Sequence, residues 1–126
     1  MPTKRILYIE NNEDTGELLT TILGVSDLKG VNVLDVSKAR QMMKSEQFSL
    51  YIIDGQMPGI SGLSLCERIR EIDKVTPIVI FSGAAYQSDI DAGMLVGANA
   101  YVVKPNSSAL VATIKRLLEG ARYASP

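Results

Sequence analysis

Short apolar runs recur five times along the chain, and segments with helical spacing separate them. The runs cover residues 6–9, 31–36, 50–53, 78–81 and 100–103. Several of them are apolar at successive positions, which is typical of strands that helices cover on both faces. Strands that alternate with helices in this way predict a parallel sheet.

The helical segments have one apolar face each. A serine before the second and the fifth of them predicts an N-cap, because a hydroxyl can accept a hydrogen bond from a free amide of the first turn. These caps are Ser37 and Ser107. The inward positions are Leu18, Leu19, Ile22 and Leu23 in the first helix and Leu110, Val111, Ile114, Leu117 and Leu118 in the last.

These elements predict a single domain over residues 1–126, with a doubly wound, five-stranded parallel sheet in three α/β/α layers. The expected strand order is 2-1-3-4-5, as in flavodoxin-like folds. After Leu118 the sequence becomes small and polar, as at a natural end or the start of a linker, and both interpretations stay open. Gly93 lies inside the predicted fourth helix, where it either softens the helix or permits close packing.

Composition excludes several functions. The chain has no histidine, so histidine-based triads and histidine-ligated zinc sites are ruled out, and oxygen and lysine chemistry remains. With 13 basic and 14 acidic residues the net charge is −1, without the basic excess of a nucleic-acid-binding domain. Direct binding to DNA or RNA by this segment is therefore not expected.

Apolar segments long enough for a membrane span or a secretion signal are missing from the sequence, so the interpretation is a cytoplasmic protein. The single cysteine, Cys66, cannot form a disulfide within the chain. It falls among Leu65, Ile69 and Ile72 at helical spacing, which favours a buried structural thiol.

Polar side chains follow four of the predicted strands. In a doubly wound sheet the functional crevice lies beyond the carboxyl ends of the strands, so with the expected order these side chains converge. Each of them alone has an ordinary explanation as a turn, loop or solvated residue, but their coincidence at neighbouring strand ends favours a site. They are Glu10, Asn11 and Asn12 after strand one, Asp54 after strand three, Ser82 after strand four, and Lys104 with Pro105 after strand five.

Such a set suits phosphoryl chemistry. Carboxylates such as Glu10 and Asp54 can hold a hard cation like Mg²⁺, which prefers oxygen ligands. A carboxylate can also attack phosphorus and form an acyl phosphate, with the metal and a cation such as Lys104 drawing charge from the phosphoryl oxygens. Ser82 can donate a hydrogen bond to one of those oxygens.

Four segments together resemble the response-regulator receiver family of two-component signal transduction, over essentially the whole chain. They are ILYIENN at 6–12, IDGQMPGISG at 53–62, FSG at 81–83 and GANAYVVKP at 97–105. The resemblance implies a CheY-like switch that is not an enzyme. Its phosphodonor would be a histidine kinase or a histidine phosphotransfer protein, and its output partner is not identified by the sequence.

The resemblance also implies roles for individual residues. Asp54 resembles the phosphoacceptor, and Lys104 and Ser82 resemble the residues that bind the phosphoryl group. Ser82 and Tyr101 resemble the switch residues, and the peptide bond before Pro105 is expected to be cis. The implied protein ligands of Mg²⁺ are Glu10, Asn11, Asp54 and the main-chain carbonyl of Gln56.

One position departs from the family pattern. Asn11 stands where the family usually has an aspartate that binds the metal directly, so one negative charge facing the ion is missing. Either the switch works with weakened Mg²⁺ binding, or the domain is a pseudo-receiver that signals by binding alone. Glu13 and Asp14 follow closely, but the start of the first helix favours them through its dipole without any metal.

Two other functional classes fit less well. A flavodoxin-like cofactor binder needs a phosphate-cradling loop after strand one, and the acidic segment at 10–14 would repel phosphate. A phosphatase with an aspartate nucleophile shares the chemistry, but its nucleophile follows the first strand in an Asp-x-Asp arrangement, which this chain does not have. A phosphorylation-independent interaction module is the serious alternative.

Overall fold

Strands and helices alternate along the chain in a computed structural model that describes residues 4–57 and 60–123. The strands are β1 (Lys4–Ile9), β2 (Leu28–Val33), β3 (Leu50–Asp54), β4 (Gln56–Met57), β5 (Ile60–Ser61), β6 (Ile78–Ser82) and β7 (Ala100–Val103). The helices are α1 (Glu13–Val25), α2 (Val36–Ser45), α3 (Gly62–Ile72), α4 (Gln87–Leu95) and α5 (Ser107–Tyr123).

Five of the strands form one parallel sheet in the order β2-β1-β3-β6-β7. This is the predicted order 2-1-3-4-5, because β4 and β5 pair only with each other in a short antiparallel hairpin. The hairpin was not predicted. Residues 58–59, which connect its two strands in the sequence, lie outside the described residues. The doubly wound flavodoxin-like fold is confirmed.

Each face of the sheet has its own core. One cluster joins α1 and α5 to the sheet through residues such as Tyr8, Leu23 and Ile114. The other joins α2 and α3 to the opposite face through residues such as Ala39 and Leu65. Because β3 and β6 are buried at every position, their side chains serve both clusters, which explains their continuous apolar runs.

The second strand was predicted three residues too late. Strand β2 ends at Val33, and Asp35 then caps α2, with its carboxylate accepting a hydrogen bond from the amide of Lys38 at 2.8 Å. Gly30, which interrupts the apolar pattern, belongs to the strand. A Cβ atom there would lie 3.0 Å from the Tyr8 ring, so the glycine lets β2 approach β1 closely.

Both predicted serine caps were wrong. Ser37 lies in the first turn of α2, where Asp35 is the cap. Ser107 is the first residue of α5, and the side chain of Asn106 accepts the hydrogen bond from the amide of Ala109. In both helices a capping side chain of similar strength precedes the serine by one or two positions.

Most of the helix positions that were predicted to face the core do so in the structure. Leu19, Leu23, Leu110, Ile114 and Leu118 are buried, and so is Cys66 as expected. Leu18 and Ile72, by contrast, are exposed. The polar segment after Leu118 does not end the helix, since α5 continues to Tyr123, and 124–126 lie outside the described residues.

Gly93 packs tightly in α4. A Cβ atom at this position would lie 3.0 Å from both Ile80 and the Tyr101 ring. Between the two interpretations of the sequence, the structure therefore favours close packing of α4 against β6 and β7.

A network of hydrogen bonds around Arg70 connects the elements at the sheet edge opposite the predicted site. Arg70 donates hydrogen bonds to the carbonyls of Asp73, Thr76 and Gly97 and to the side chain of Asn99. It thereby ties the end of α3 to the turn that follows α4. Gly97 has φ +113° beside Arg70, a conformation that favours glycine.

Asp73 makes the stability of this edge depend on pH. Burial opposes its ionisation, but hydrogen bonds from Thr76, Val75 and Tyr51 prevail and lower the pKa of Asp73 to about 2. A carboxylate with a lowered pKa stabilises the fold above its unfolded pKa of 3.8, and the contribution is lost as the pH falls through about 2.

We therefore expect Asp73→Asn to reduce the free energy of unfolding at pH 7 by on the order of 1–2 kcal/mol. The difference from wild type should shrink below pH 3.8. Urea unfolding as a function of pH measures this, with exposed Asp27→Asn as the control. A deficit that stays constant down to pH 2 would show that the carboxylate charge is not responsible.

Candidate functional site

The carboxyl ends of four adjacent strands bring the predicted polar side chains together. Glu10 follows β1, Asp54 ends β3, Ser82 ends β6 and Lys104 follows β7. Glu10, Asp54 and Ser82 are only 3%, 5% and 1% exposed, and they are the buried polar or charged residues of the described chain. Groups of this polarity are seldom buried without a partner, which marks this edge as the candidate site.

Lys104 joins the two carboxylates. Its Nζ lies 3.1 Å from Oε2 of Glu10 and 3.2 Å from Oδ1 of Asp54. The three residues come from three separate strand ends, 94 and 50 positions apart in the sequence. One ammonium thus faces two buried carboxylates.

Main-chain amides hold both carboxylates in place. The amide of Asn12 donates to Oε1 of Glu10 at 3.2 Å, and the amide of Gln56 donates to Oδ1 of Asp54 at 3.0 Å. Both the Gln56 amide and Lys104 therefore bind the same oxygen of Asp54. Oδ2 of Asp54 accepts no hydrogen bond from the described residues.

Burial raises the pKa of Glu10, and the negative charge of Asp54 raises it further. The hydrogen bond and the charge of Lys104 act in the opposite direction but do not cancel the effect. A carboxylate that is costly to ionise in this cleft gains from any added cation. The negative charges of the cleft therefore favour the binding of a metal ion or another positive group.

Two glycines allow the close packing beside Asp54. A Cβ atom at Gly55 would lie 2.4 Å from Oγ of Ser82, and one at Gly62 would lie 2.7 Å from the carbonyl oxygen of Asp54. Gly62 also donates its amide to the carbonyl of Gly55. Neither glycine was predicted to belong to the site, although both lie in the 53–62 segment.

Ser82 and Tyr101 meet at the same loop residue. The amide of Ala84 donates to Oγ of Ser82 at 3.2 Å, and the hydroxyl of Tyr101 donates to the carbonyl of Ala84 at 2.7 Å. One residue, Ala84, is therefore hydrogen-bonded to both Ser82 and Tyr101 through its main chain. Ala84 contributes only main-chain atoms, so its side chain gives no sequence signal for this role.

The other predicted residues surround this cleft. Asn11 is exposed two residues after the end of β1, and Gln56 is exposed in β4. The peptide bond between Lys104 and Pro105 is cis. Glu13 and Asp14 lie exposed in the first turn of α1, and Asn12 caps that helix by accepting from the amide of Thr15.

The donor set fits Mg²⁺ in chemical type. Two buried carboxylates, the amide oxygen of Asn11 and the carbonyl of Gln56 are all oxygen donors, which magnesium prefers. Acidic side chains are few, however: the described residues contain no cluster of three or more acidic, cysteine or histidine groups that could hold a metal. Asn11 contributes an amide oxygen and no negative charge to this donor set.

Among residues 4–57 and 60–123, the helices are too short or too polar to cross a bilayer.

Comparisons with known proteins agree with the geometry. The family model described as the response regulator receiver domain matches residues 6–115. Transcriptional regulatory protein GltR of Pseudomonas aeruginosa is 32% identical over 123 residues, which are 95% of this chain and 51% of GltR. The transcriptional regulatory protein YrkP of Bacillus subtilis is 35% identical over 103 residues, 82% of this chain and 44% of YrkP.

A solved structure of a response regulator is similar to this chain in both fold and sequence. The response regulator protein TrrA of Thermotoga maritima, solved in complex with Mg²⁺ and BeF, superposes with a TM-score of 0.81 and is 31% identical. The match covers 91% of this chain and 99% of TrrA.

The chain spans about half the length of the curated relatives that it matches. Receiver domains are signalling modules, generally not catalytic ones, that interact with histidine kinases or phosphotransfer proteins and generally bind Mg²⁺ at their phosphorylation site. Since both the sequence match and the cleft at the strand ends have the features of this group, the chain belongs to the response regulator receiver family.

Proposed function

We propose that residues 1–126 form one receiver domain, in which Asp54 accepts a phosphoryl group from a histidine kinase or a histidine phosphotransfer protein. The contact of Lys104 with both Glu10 and Asp54 carries this proposal, because it puts one cation and two carboxylates in a single buried cleft. A donor of this kind would place the chain in the cytoplasm. The output partner or domain is a separate question.

In the proposed reaction Oδ2 of Asp54 attacks the phosphorus atom of the donor phosphohistidine. A bond forms between oxygen and phosphorus while the phosphorus–nitrogen bond breaks, and its electron pair returns to the imidazole, which takes up a proton. The hydrogen bonds from Lys104 and Gln56 orient the carboxylate through Oδ1. Lys104 then neutralises part of the charge on the phosphoryl oxygens.

Mg²⁺, held by Glu10, Asp54, Asn11 and the Gln56 carbonyl, would supply further neutralisation of that charge. The phosphoryl group adds acceptor oxygens beside Ser82. We infer that the Ser82 hydroxyl turns to donate to one of them and leaves the Ala84 amide. Since Tyr101 is bound to the same residue, its position and that of α4 shift, which biases an equilibrium between two surface arrangements.

Intact-mass measurement with acetyl phosphate and Mg²⁺ tests the acceptor. We expect one phosphoryl adduct on the wild type and none on Asp54→Asn, which keeps the side-chain size but removes the nucleophile. Beryllofluoride should change the NMR spectrum of the wild type alone. Modification of both proteins would place the acceptor elsewhere.

A specific observation supports the second candidate, a pseudo-receiver that signals without phosphorylation. Asn11 stands where the resemblance implies an acidic metal ligand and lies exposed, and Lys104 already pairs with both carboxylates of the cleft. If the chain is a pseudo-receiver, neither acetyl phosphate nor beryllofluoride should modify the wild type at millimolar concentration. The variant Asn11→Asp should then restore modification.

The charge at position 11 should set the affinity for Mg²⁺. We expect Asn11→Asp to bind Mg²⁺ at least about tenfold more tightly than wild type, because one pair of unit charges about 4 Å apart is worth roughly 4 kcal/mol at an effective dielectric constant near 20, before hydration reduces it. Titration with Mg²⁺ monitored by NMR measures both constants. Asn12→Asp, which adds the same charge at the helix cap, is the control, and equal affinities of wild type and Asn11→Asp would refute the prediction.

A further inference from the structure

An apolar groove runs between α2 and α3, away from the strand-end cleft. It holds a cavity of about 410 Å³. Buried Ala39, Leu65 and Ile69 line it, and at one end Ile72 is 65% exposed. We refer to this feature as the α2–α3 groove.

Positive charge borders the α2–α3 groove. Arg40, Lys44 and Arg68 line it against a single acidic residue, Glu71. The ion pairs found among the described residues involve Arg5 and Lys104 as cations, so the three groove cations have no carboxylate within 4.0 Å. This excess stands out in a chain of net charge −1, and it selects an acidic, partly apolar occupant.

The exposed face of α1 has the complementary character. Asp14, Glu17, Leu18, Thr21 and Val25 are exposed and recur at the spacing of one helical face. Leu18 is 57% and Val25 83% exposed. The helix contains no lysine or arginine. This face has acidic residues at one end and two exposed apolar side chains along its length. It therefore complements the groove, which has an apolar lining and an excess of positive charge.

These two surfaces lie on opposite sides of the sheet. Helix α1 packs through Leu19 and Leu23 on the α5 side, whereas Ala39 and Leu65 belong to the core on the other face. One molecule therefore presents the helix in one direction and the groove in the other. A contact between them joins copies head to tail, without a two-fold axis.

We propose that α1 of one copy of this chain docks into the α2–α3 groove of a second copy. Leu18 and Val25 enter the apolar groove, and Asp14 and Glu17 face Arg40 and Arg68. The interaction is independent of the proposed phosphorylation, since neither surface contains Asp54 or Lys104. One helix in one groove is a contact below roughly 1,200 Å², so we expect weak association that extends beyond dimers.

Sedimentation velocity over a concentration series tests this without any phosphodonor. We expect the average mass of the wild type to rise continuously with concentration at low salt and to fall at about 1 M salt, where screening acts within roughly 3 Å. Arg40→Glu with Arg68→Glu should weaken association about tenfold or more. Asp14→Lys with Glu17→Lys should do the same, and so should Leu18→Ser.

Mixing the two charge-reversed variants gives the decisive result. Each alone opposes like charges, but the mixture pairs the lysine-bearing helix with the glutamate-bearing groove and should associate again. Lys4→Glu with Lys29→Glu, at the starts of β1 and β2, changes the net charge equally and should associate as wild type does. Circular dichroism verifies that each variant is folded.

Three results would overturn the proposal. They are a wild type that stays monomeric into the millimolar range, association that stops at a dimer, and a mixture that remains as monomeric as its components.

Discussion

Lys104→Met is expected to lower the free energy of unfolding by about 2 kcal/mol at neutral pH. Removing one member of a buried ion pair leaves the other charge buried without a partner, which typically costs 3–5 kcal/mol. The partial exposure of Lys104 reduces that cost here. Glu10 and Asp54 would then repel each other without the ammonium between them. Urea unfolding of variant and wild type at pH 7 measures the difference.

The effect should depend on pH and on a neighbouring substitution. Loss of the lysine raises the pKa of Glu10 further, because the hydrogen bond and the charge of Lys104 both lower it. A carboxyl group with a raised pKa in the folded state favours folding at low pH, and this advantage disappears as the pH rises through that pKa. The deficit of Lys104→Met should therefore shrink on acidification toward pH 4.5.

Adding Glu10→Gln to Lys104→Met should recover most of the lost stability, since one of the two stranded charges is removed. Lys115→Met, at an exposed position of α5, is the matched control and should change stability little. If Lys104→Met and Lys115→Met were equally stable, the ion pairs with Glu10 and Asp54 would contribute nothing to the fold.

Gly62→Ala is expected to destabilise the protein by about 2–3 kcal/mol, in the range of overpacked cores. The added methyl group would lie 2.7 Å from the carbonyl oxygen of Asp54 and from the Cα of Gly55. Both are main-chain atoms, which cannot rotate away as a side chain can. Helix α3 would have to move, and the Asp54 main chain with it.

Phosphoryl uptake at Asp54 should therefore fall together with stability in Gly62→Ala. Gly24→Ala is the matched control, because no atom lies within 4 Å of its added Cβ and alanine favours a helix by up to about 1 kcal/mol over glycine. Thermal unfolding and acetyl phosphate labelling of both variants provide the measurements. Normal labelling and stability in Gly62→Ala would contradict this prediction. They would mean that helix α3 and the β4–β5 hairpin can move at little cost in free energy.

The sequence by itself determined the fold class and the edge at which the site lies. Fully apolar runs such as 78–81 are typical of strands covered on both faces, and polar residues directly after such strands lie at one edge of a parallel sheet. Asp54, Ser82 and Lys104 were therefore located without coordinates. Their separation of up to 50 positions did not matter, because strand order alone makes them neighbours.

Element boundaries were harder to predict, because neighbouring residues compete for the same local role. Asp35 and Asn106 displaced the serines as helix caps, since a carboxylate or amide oxygen was available just before each of them. The same competition placed the end of β2 at Val33. Leu18 also fits the apolar pattern of α1, but only the packing of α1 on the sheet decides which apolar residues stay exposed.

Only the tertiary structure decided how the site is held together. That Lys104 contacts both carboxylates, and that two donors bind the same oxygen of Asp54, depends on distances between chain segments that no local pattern encodes. Ala84 links Ser82 to Tyr101 through main-chain atoms, which are common to all residues. Composition and spacing specify which groups share an edge, whereas side-chain contacts depend on how the layers pack around it.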